Sequence, residues 1–239
     1  MNPSAELVGS SLSALSTQYR GLAHNLANAN TAGFKKRRSL FAQTLEQQNA
    51  PTPSKHGMPA GKVQETSVID FTQGALVRTG RPLDLAMSGE GLFVIETPSG
   101  PLYTRNGAFK TNDRGQLVDS SGRSVAGTGG PIILPAGTSP SQVHVSSDGQ
   151  VSVNGQPIGT LQVVEFRDKT LLKPVGQSAF RADPTAQPSA PEQISIQQGF
   201  QEASNVSVVE ELVDLIAVTR MYEANLKSMS AQDDRMQHI

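Results

Sequence analysis

Residues 4–33 read SAELVGSSLSALSTQYRGLAHNLANANTAG, and within them Val8, Leu12, Leu15, Tyr19, Leu22, Leu26 and Ala29 recur at alternating steps of four and three. That spacing keeps one apolar stripe on a single helical face. Residues 204–236 repeat the pattern with Val208, Leu212, Leu215, Thr219, Tyr222, Leu226, Met229 and Met236, broken only by Asp233. An amphipathic helix of this kind is not stable alone and buries its stripe against a partner. The two stretches therefore predict an α+β chain in which N- and C-terminal helices pair as a helical stalk around an inserted, mainly antiparallel β domain. The expected boundaries are 1–48 plus 204–239 for the terminal helical domain, 63–200 for the β-rich domain and 49–62 for a linker.

Punctuation supports the helices. Asn2 is placed to cap the first, with Pro3 at the first helical position, where its missing N–H costs nothing. Asn28, Asn30 and Thr31 then weaken helical propensity, and Gly33 can take the left-handed stop conformation. The run Lys35-Lys36-Arg37-Arg38 reads as a solvated face or a partner for acidic residues elsewhere rather than as a polyanion patch. Residues 39–48 are expected to form a short second helix, and Asn49 to Gly61, with Pro51, Pro53 and Pro59, a loop. The final helix opens on Ser207-Val208-Val209-Glu210, the pattern of a capping box. Over residues 200–239 acids outnumber bases by four, and over residues 1–40 bases outnumber acids by four, so the two ends are electrostatically complementary.

From Val63 the period changes. Short runs such as Leu83-Asp84-Leu85-Ala86-Met87 and Leu92-Phe93-Val94-Ile95 are bounded by glycine or proline. Turn signals recur at Pro98-Ser99-Gly100, Asn106-Gly107, Asp113-Arg114-Gly115, Ser120-Ser121-Gly122, Asp148-Gly149 and Asn154-Gly155, which mark hairpin tips.

The chain of 239 residues has a net charge of −1, which argues for neither nucleic acid nor an anionic membrane as partner. It contains no cysteine, which excludes disulfides and thiolate chemistry. The start Met1-Asn2-Pro3-Ser4 lacks a basic segment followed by an apolar one, so no cleaved secretory leader is expected.

No catalytic constellation emerges. His24, His56, His144 and His238 have no metal-ligand spacing, and the glycine-rich Gly127–Pro131 is followed by no Lys-Ser/Thr to make a phosphate cradle. Neither cofactor nor small-molecule substrate is expected. Asp84 and Glu96 offer the one faint carboxylate pair, and Phe93, Tyr103 and Phe109 a stacking surface better explained as core. They support the alternative of a secreted β-rich carbohydrate-binding or hydrolytic module with helical oligomerisation ends.

The sequence Asn25-Leu26-Ala27-Asn28-Ala29-Asn30-Thr31-Ala32-Gly33-Phe34-Lys35 resembles the N-terminal signature of the bacterial flagellar rod, hook and hook-associated axial proteins. Leu83 to Phe93, with Tyr103 to Phe109 and Gly115 to Val118, is similar to the β-domain of the basal-body rod proteins in that family. Gly199-Phe200-Gln201-Glu202-Ala203-Ser204-Asn205-Val206, with Glu210-Glu211-Leu212-Val213, resembles their C-terminal signature. The three motifs occur in the right order across nearly the whole chain. The resemblance implies a structural axial subunit of the basal-body rod, exported by the flagellar type III apparatus without a cleaved signal and polymerised helically with itself and other rod and hook proteins. It further implies that terminal helices line an inner tube, with Leu12, Leu15, Tyr19, Leu22 and Leu26 facing Leu212, Leu215, Tyr222 and Leu226. Asn25, Asn28, Thr31, Gly33 and Phe34 would end the first helix and start the turn. His24 stands where the family commonly has a small or amide residue; Arg81-Pro82-Leu83-Asp84 and Gly129-Gly130-Pro131-Ile132 resemble the proximal rod protein, whereas Glu202-Ala203-Ser204-Asn205 with Glu210-Glu211 leans to the distal one, and the proximal is favoured.

Overall fold

A computed structural model describes residues 3–44, 62–176, 178–191 and 193–237. Two long helices bracket the chain, α1 from Pro3–Ala27 and α2 from Val208–Gln237, and the described residues between them are mainly antiparallel strands. The chain divides into two compact units. One takes its described residues from Met1–Ala27, Arg37–Asp70 and Ser207–Ile239, the other from Asn28–Lys36 and Phe71–Val206.

The first unit contains both helices and a hairpin of β1 (Arg37–Thr44) and β2 (Lys62–Ile69), in register from Arg37 opposite Ile69 to Thr44 opposite Lys62. Residues 39–44 are therefore strand, where a short helix was expected over 39–48. The apolar group Leu40-Phe41-Ala42 has no period of its own and fits either structure. The β-branched Val63, Thr66, Val68 and Ile69 of β2 supply a pleated partner and decide for strand. The expected linker lies outside the described residues up to Gly61, as do the proposed cap Asn2 and His238; Lys62 already belongs to β2.

In the second unit β3 (Leu76–Arg78) pairs with Phe200–Glu202, and β4 (Leu85–Gly89) with Ile194–Gln198. The largest sheet is built on β5 (Leu92–Glu96), which is flanked by β6 (Leu102–Thr104) and by Ser124–Gly127, with Leu117–Val118 and Lys110–Thr111 beyond. A separate sheet orders Val143–Val145, Gln150–Val153 and Gln156–Thr160. Its second turn is Asn154-Gly155, with φ of 51° and 81°, the double positive-φ geometry that a two-residue hairpin demands. Asn106-Gly107 serves another purpose, because a Cβ on Gly107 would lie 1.8 Å from the Leu85 carbonyl oxygen. The glycine lets this loop approach β4, where Leu85 N–H donates to the Gly107 carbonyl at 2.9 Å.

The core of this unit gathers Leu85, Met87, Phe93, Ile95, Phe109, Val125 and Val151. Phe93 and Phe109 meet edge to face at 5.2 Å, and Tyr103 meets Phe166 likewise at 4.8 Å, so all three aromatics considered for stacking are packed inside.

Candidate functional site

The helical unit offers the first candidate surface. Asn225 Nδ2 lies 3.4 Å from Ser11 Oγ, and Asn25 Nδ2 lies 3.0 Å from Glu211 Oε2. The partner number rises as the other falls, so α1 and α2 run antiparallel. Between these two contacts, Leu15, Ser16 and Tyr19 of α1 and Val218, Thr219 and Tyr222 of α2 line a surface cavity of about 230 Å³. Leu15 and Val218 are buried, Leu12, Leu22, Leu26 and Leu215 half-buried, while Tyr19 and Tyr222 stand at its rim, 46% and 38% exposed.

The structure thus brings Leu15, Tyr19 and Tyr222 together but leaves Leu212 and Leu226 41% and 45% exposed. The stripe of α2 that turns inward is Glu211, Leu215, Val218, Tyr222, Asn225 and Met229. It shares three members with the stripe read from the sequence and is rotated by a fraction of a turn. The inward positions of Glu211 and Asn225 are polar, which is why apolar spacing alone missed them.

Asn25 explains the start of the family-like motif. Its side chain is buried and accepts from the Arg37 N–H at 2.9 Å while donating to the Arg37 carbonyl at 2.9 Å and to Glu211. One amide thereby mimics a strand neighbour for β1 and ties the end of α1 to the first turn of α2. At that start the Ser207 carbonyl accepts the Glu211 N–H at 3.0 Å, as an N-cap residue does. His24 lies beside this junction, where partial burial, and after it the charge of Arg37, lower its pKa from the usual 6.5.

The rest of the motif lies in the β unit and forms a polar clasp with the C-terminal signature. Thr31 N–H donates to the Asn28 carbonyl at 3.1 Å and its hydroxyl to Asn28 Oδ1 at 3.2 Å, turning the chain. Gly33 has φ +66°, and a Cβ there would lie 2.3 Å from the Asn106 nitrogen. Its own N–H donates to the Glu202 carbonyl at 2.7 Å, and Phe34 is buried.

Lys35 Nζ then meets Glu202 Oε1 at 2.5 Å and the Thr72 carbonyl at 2.6 Å, both side chains being fully enclosed. The same carboxylate oxygen accepts the Gly74 N–H at 2.9 Å, and Arg105 Nη1 lies 3.5 Å from Glu202 Oε2. Arg105 also donates to the Gly89 carbonyl at 2.6 Å. Desolvation lowers the Arg105 pKa, opposed by the charges of Glu202, Glu90 and Glu165. Asn205 completes the clasp, accepting from the Lys36 N–H at 2.8 Å and donating to Thr72. Of the basic run, Lys35 and Arg38 do find acidic partners, Arg38 pairing with Asp70 at 2.7 Å.

Sequence reasoning leaves the acidic partner of Lys35 unnamed and assigns no role to Glu202 or Asn205. No local pattern links groups 167 residues apart, although a lysine directly behind a buried phenylalanine was a usable hint. Asp84 is buried, with its carboxylate held by Thr79 Oγ1 at 2.7 Å and Arg81 at 3.3 Å, while Glu96 is exposed. The carbohydrate reading finds no support in such a pair. Among the described residues no three His, Asp or Glu side chains gather to hold a metal ion, and no helix is long and apolar enough to cross a membrane.

The sequence matches the family model for the C-terminal part of flagellar basal body rod FlgEFG proteins over residues 197–239. It matches that for the D1 domain of the flagellar hook protein FlgE/F/G over residues 86–153. These ranges contain α2, Glu202 and Arg105. Flagellar basal-body rod protein FlgG of Buchnera aphidicola (subsp. Acyrthosiphon pisum) is 30% identical over 100% of this chain and 99% of that one. Flagellar basal-body rod protein FlgF of Caulobacter vibrioides is 36% identical over 87% of this chain and 84% of its own. FlgG of Bacillus subtilis is 30% identical over 91% and 90%.

Proposed function

Because the chain belongs to the flagellar basal-body rod proteins of FlgF and FlgG type, and is as such a structural subunit of the rod, we propose that it assembles helically through α1 and α2. In this reading the paired helices form a terminal stalk that joins its neighbours in a torque-bearing tube. The inserted β domain is carried on that stalk, and the work is mechanical, without turnover. The observation that carries the reading is the composition of α2. The helix gives one stripe to α1 and still exposes Val209, Leu212, Val213, Ile216 and Leu226, more apolar surface than a solitary helix pair needs.

The partners are other copies and neighbouring rod and hook proteins, and the route is the flagellar type III export apparatus into the periplasmic rod. Within the family Arg81-Pro82-Leu83-Asp84 favours the proximal position. The deciding experiment is electron cryomicroscopy of basal bodies from cells carrying a tagged copy. The expected result is density for the tag on the proximal rod, with both terminal helices in the tube wall. A tag on the distal rod would reverse the positional choice, and its absence from purified basal bodies would refute the assembly role.

A further inference from the structure

The chain crosses from one unit to the other between Ala27 and Asn28, Lys36 and Arg37, Asp70 and Phe71, and Val206 and Ser207. On the β side every crossing runs within a few residues into the clasp. Lys35 Nζ holds Glu202 Oε1 and the Thr72 carbonyl, while Glu202 accepts the Gly33 N–H on its carbonyl and the Gly74 N–H on its carboxylate. Asn205 joins the Lys36 N–H to Thr72. Three segments far apart in sequence, 33–36, 72–74 and 202–205, are thereby bound to one another. The helical side repeats the arrangement. Asn25 holds both backbone groups of Arg37 and reaches Glu211, Arg37 stands opposite Ile69 in the hairpin, and Arg38 pairs with Asp70 at 2.7 Å.

Resting on the reading of the chain as a torque-bearing rod subunit, we propose that the clasp of Lys35, Glu202 and Asn205 is a load-sharing joint. Force that enters the β unit through any one of the connections is divided over all of them. Without the clasp, a load arriving through Val206 would fall on the three residue pairs that β3 makes with Phe200–Glu202. With it, the same load reaches the 33–36 and 72–74 segments as well, and bonds loaded together must break together. Burial suits the cluster to this work. The Lys35 and Glu202 side chains are fully enclosed, where a charged hydrogen bond is stronger than in water. The ties of Asn25 and Arg38 gather the same connections on the helical side, so neither unit receives the load through a lone strand.

The natural absence of cysteine lets two introduced thiols define a loading axis for single-molecule force spectroscopy on the full chain. Attachment at Ser13→Cys, exposed on α1, and Ser121→Cys, exposed in a β-unit turn, loads the clasp. Attachment at Ser121→Cys and Ser147→Cys, both exposed in the β unit, loads a path that avoids it. Opening of the clasp is recognised by its length, because freeing residues 34–70 adds about 130 Å at roughly 3.5 Å per residue. Lifetime under constant load reports the rate of forced opening. Glu202→Gln is expected to shorten it about tenfold or more on the first axis, and Asn205→Ala about fivefold. On the second axis both variants should stay within about twofold of the parent, since a clasp still closed at rupture shifts ground state and barrier alike. Equal shortening on the two axes would make the cluster a contributor to general stability and overturn the proposal, as would unchanged lifetimes on both. Asn205→Ala leaves the Lys35–Glu202 pair in place and decides the matter should Glu202→Gln fail to fold. Failure here overturns the joint alone, whereas absence of the protein from purified basal bodies overturns the rod-assembly reading and the joint's purpose with it.

Discussion

Glu202 illustrates what a single side chain decides. It faces Lys35 and Arg105 inside the β unit and also accepts the Gly74 N–H. Glu202→Gln keeps the acceptor for Gly74 but removes the counter-charge that Lys35 and Arg105 share. Breaking a buried ion pair from one side costs about 3–5 kcal/mol, so urea unfolding of this variant should show a loss of that order; a loss under 1 kcal/mol would mean that water reaches the cluster. His24 provides a pH signature. Its pKa is lowered in the fold, so the unfolded chain binds more protons as pH falls. The stability it contributes is present above about pH 6.5 and is lost as pH drops through the lowered value. Urea midpoints of parent and His24→Gln should therefore converge on acidification, and parallel curves would remove His24 as a cause. Gly33 was legible as a stop, but the reason that only glycine fits is the approach of Asn106, which no local pattern announces.

At the scale of elements, α2 was legible in its existence and its start but not in its orientation. Apolar residues occupy more than one of its faces, so spacing selected Leu212 and Leu226 where Val218 and polar Asn225 turn inward. The two classes of residue should respond differently. Val218→Ala removes buried methyl groups worth about 1.5–2 kcal/mol, measurable as a lowered midpoint of helix unfolding in the monomer. Leu212→Ala, at an exposed position, should change that midpoint by no more than about 0.5 kcal/mol, yet reduce sedimenting assemblies; equal effects on the monomer would mean that both face α1. β1 was misread for a related reason. A strand identified by its partner cannot be recognised when 17 residues separate the end of β1 at Thr44 from the start of its partner β2 at Lys62.

The whole molecule distributes its stability unevenly. Among the described residues the β unit holds nearly all of the fully buried aliphatic and aromatic side chains, whereas the helical unit shows Leu15, Val218 and the polar ties of Asn25 and Asn225. Amide exchange in the dilute full chain should therefore be fast in α1 and α2 and slow at Phe93 and Ile95, with the helices slowing once the protein assembles. Uniform protection in the dilute chain would contradict this division. The α+β class was plain from the change of period at Val63, yet the assignment of Asn28–Lys36 to the β unit was not, because it depends on a carboxylate near the other end of the chain.

That distance has a consequence for the chain while it is being made. A ribosome adding about 5–20 residues per second produces Glu202 some ten to thirty seconds after Lys35, given the 167 positions between them. Through that interval the lysine has no carboxylate to receive it, and Gly33 lacks the carbonyl it will bond. The nascent polypeptide cannot close its β unit until Glu202 has been made, and until then that stretch remains a thread that can be pulled.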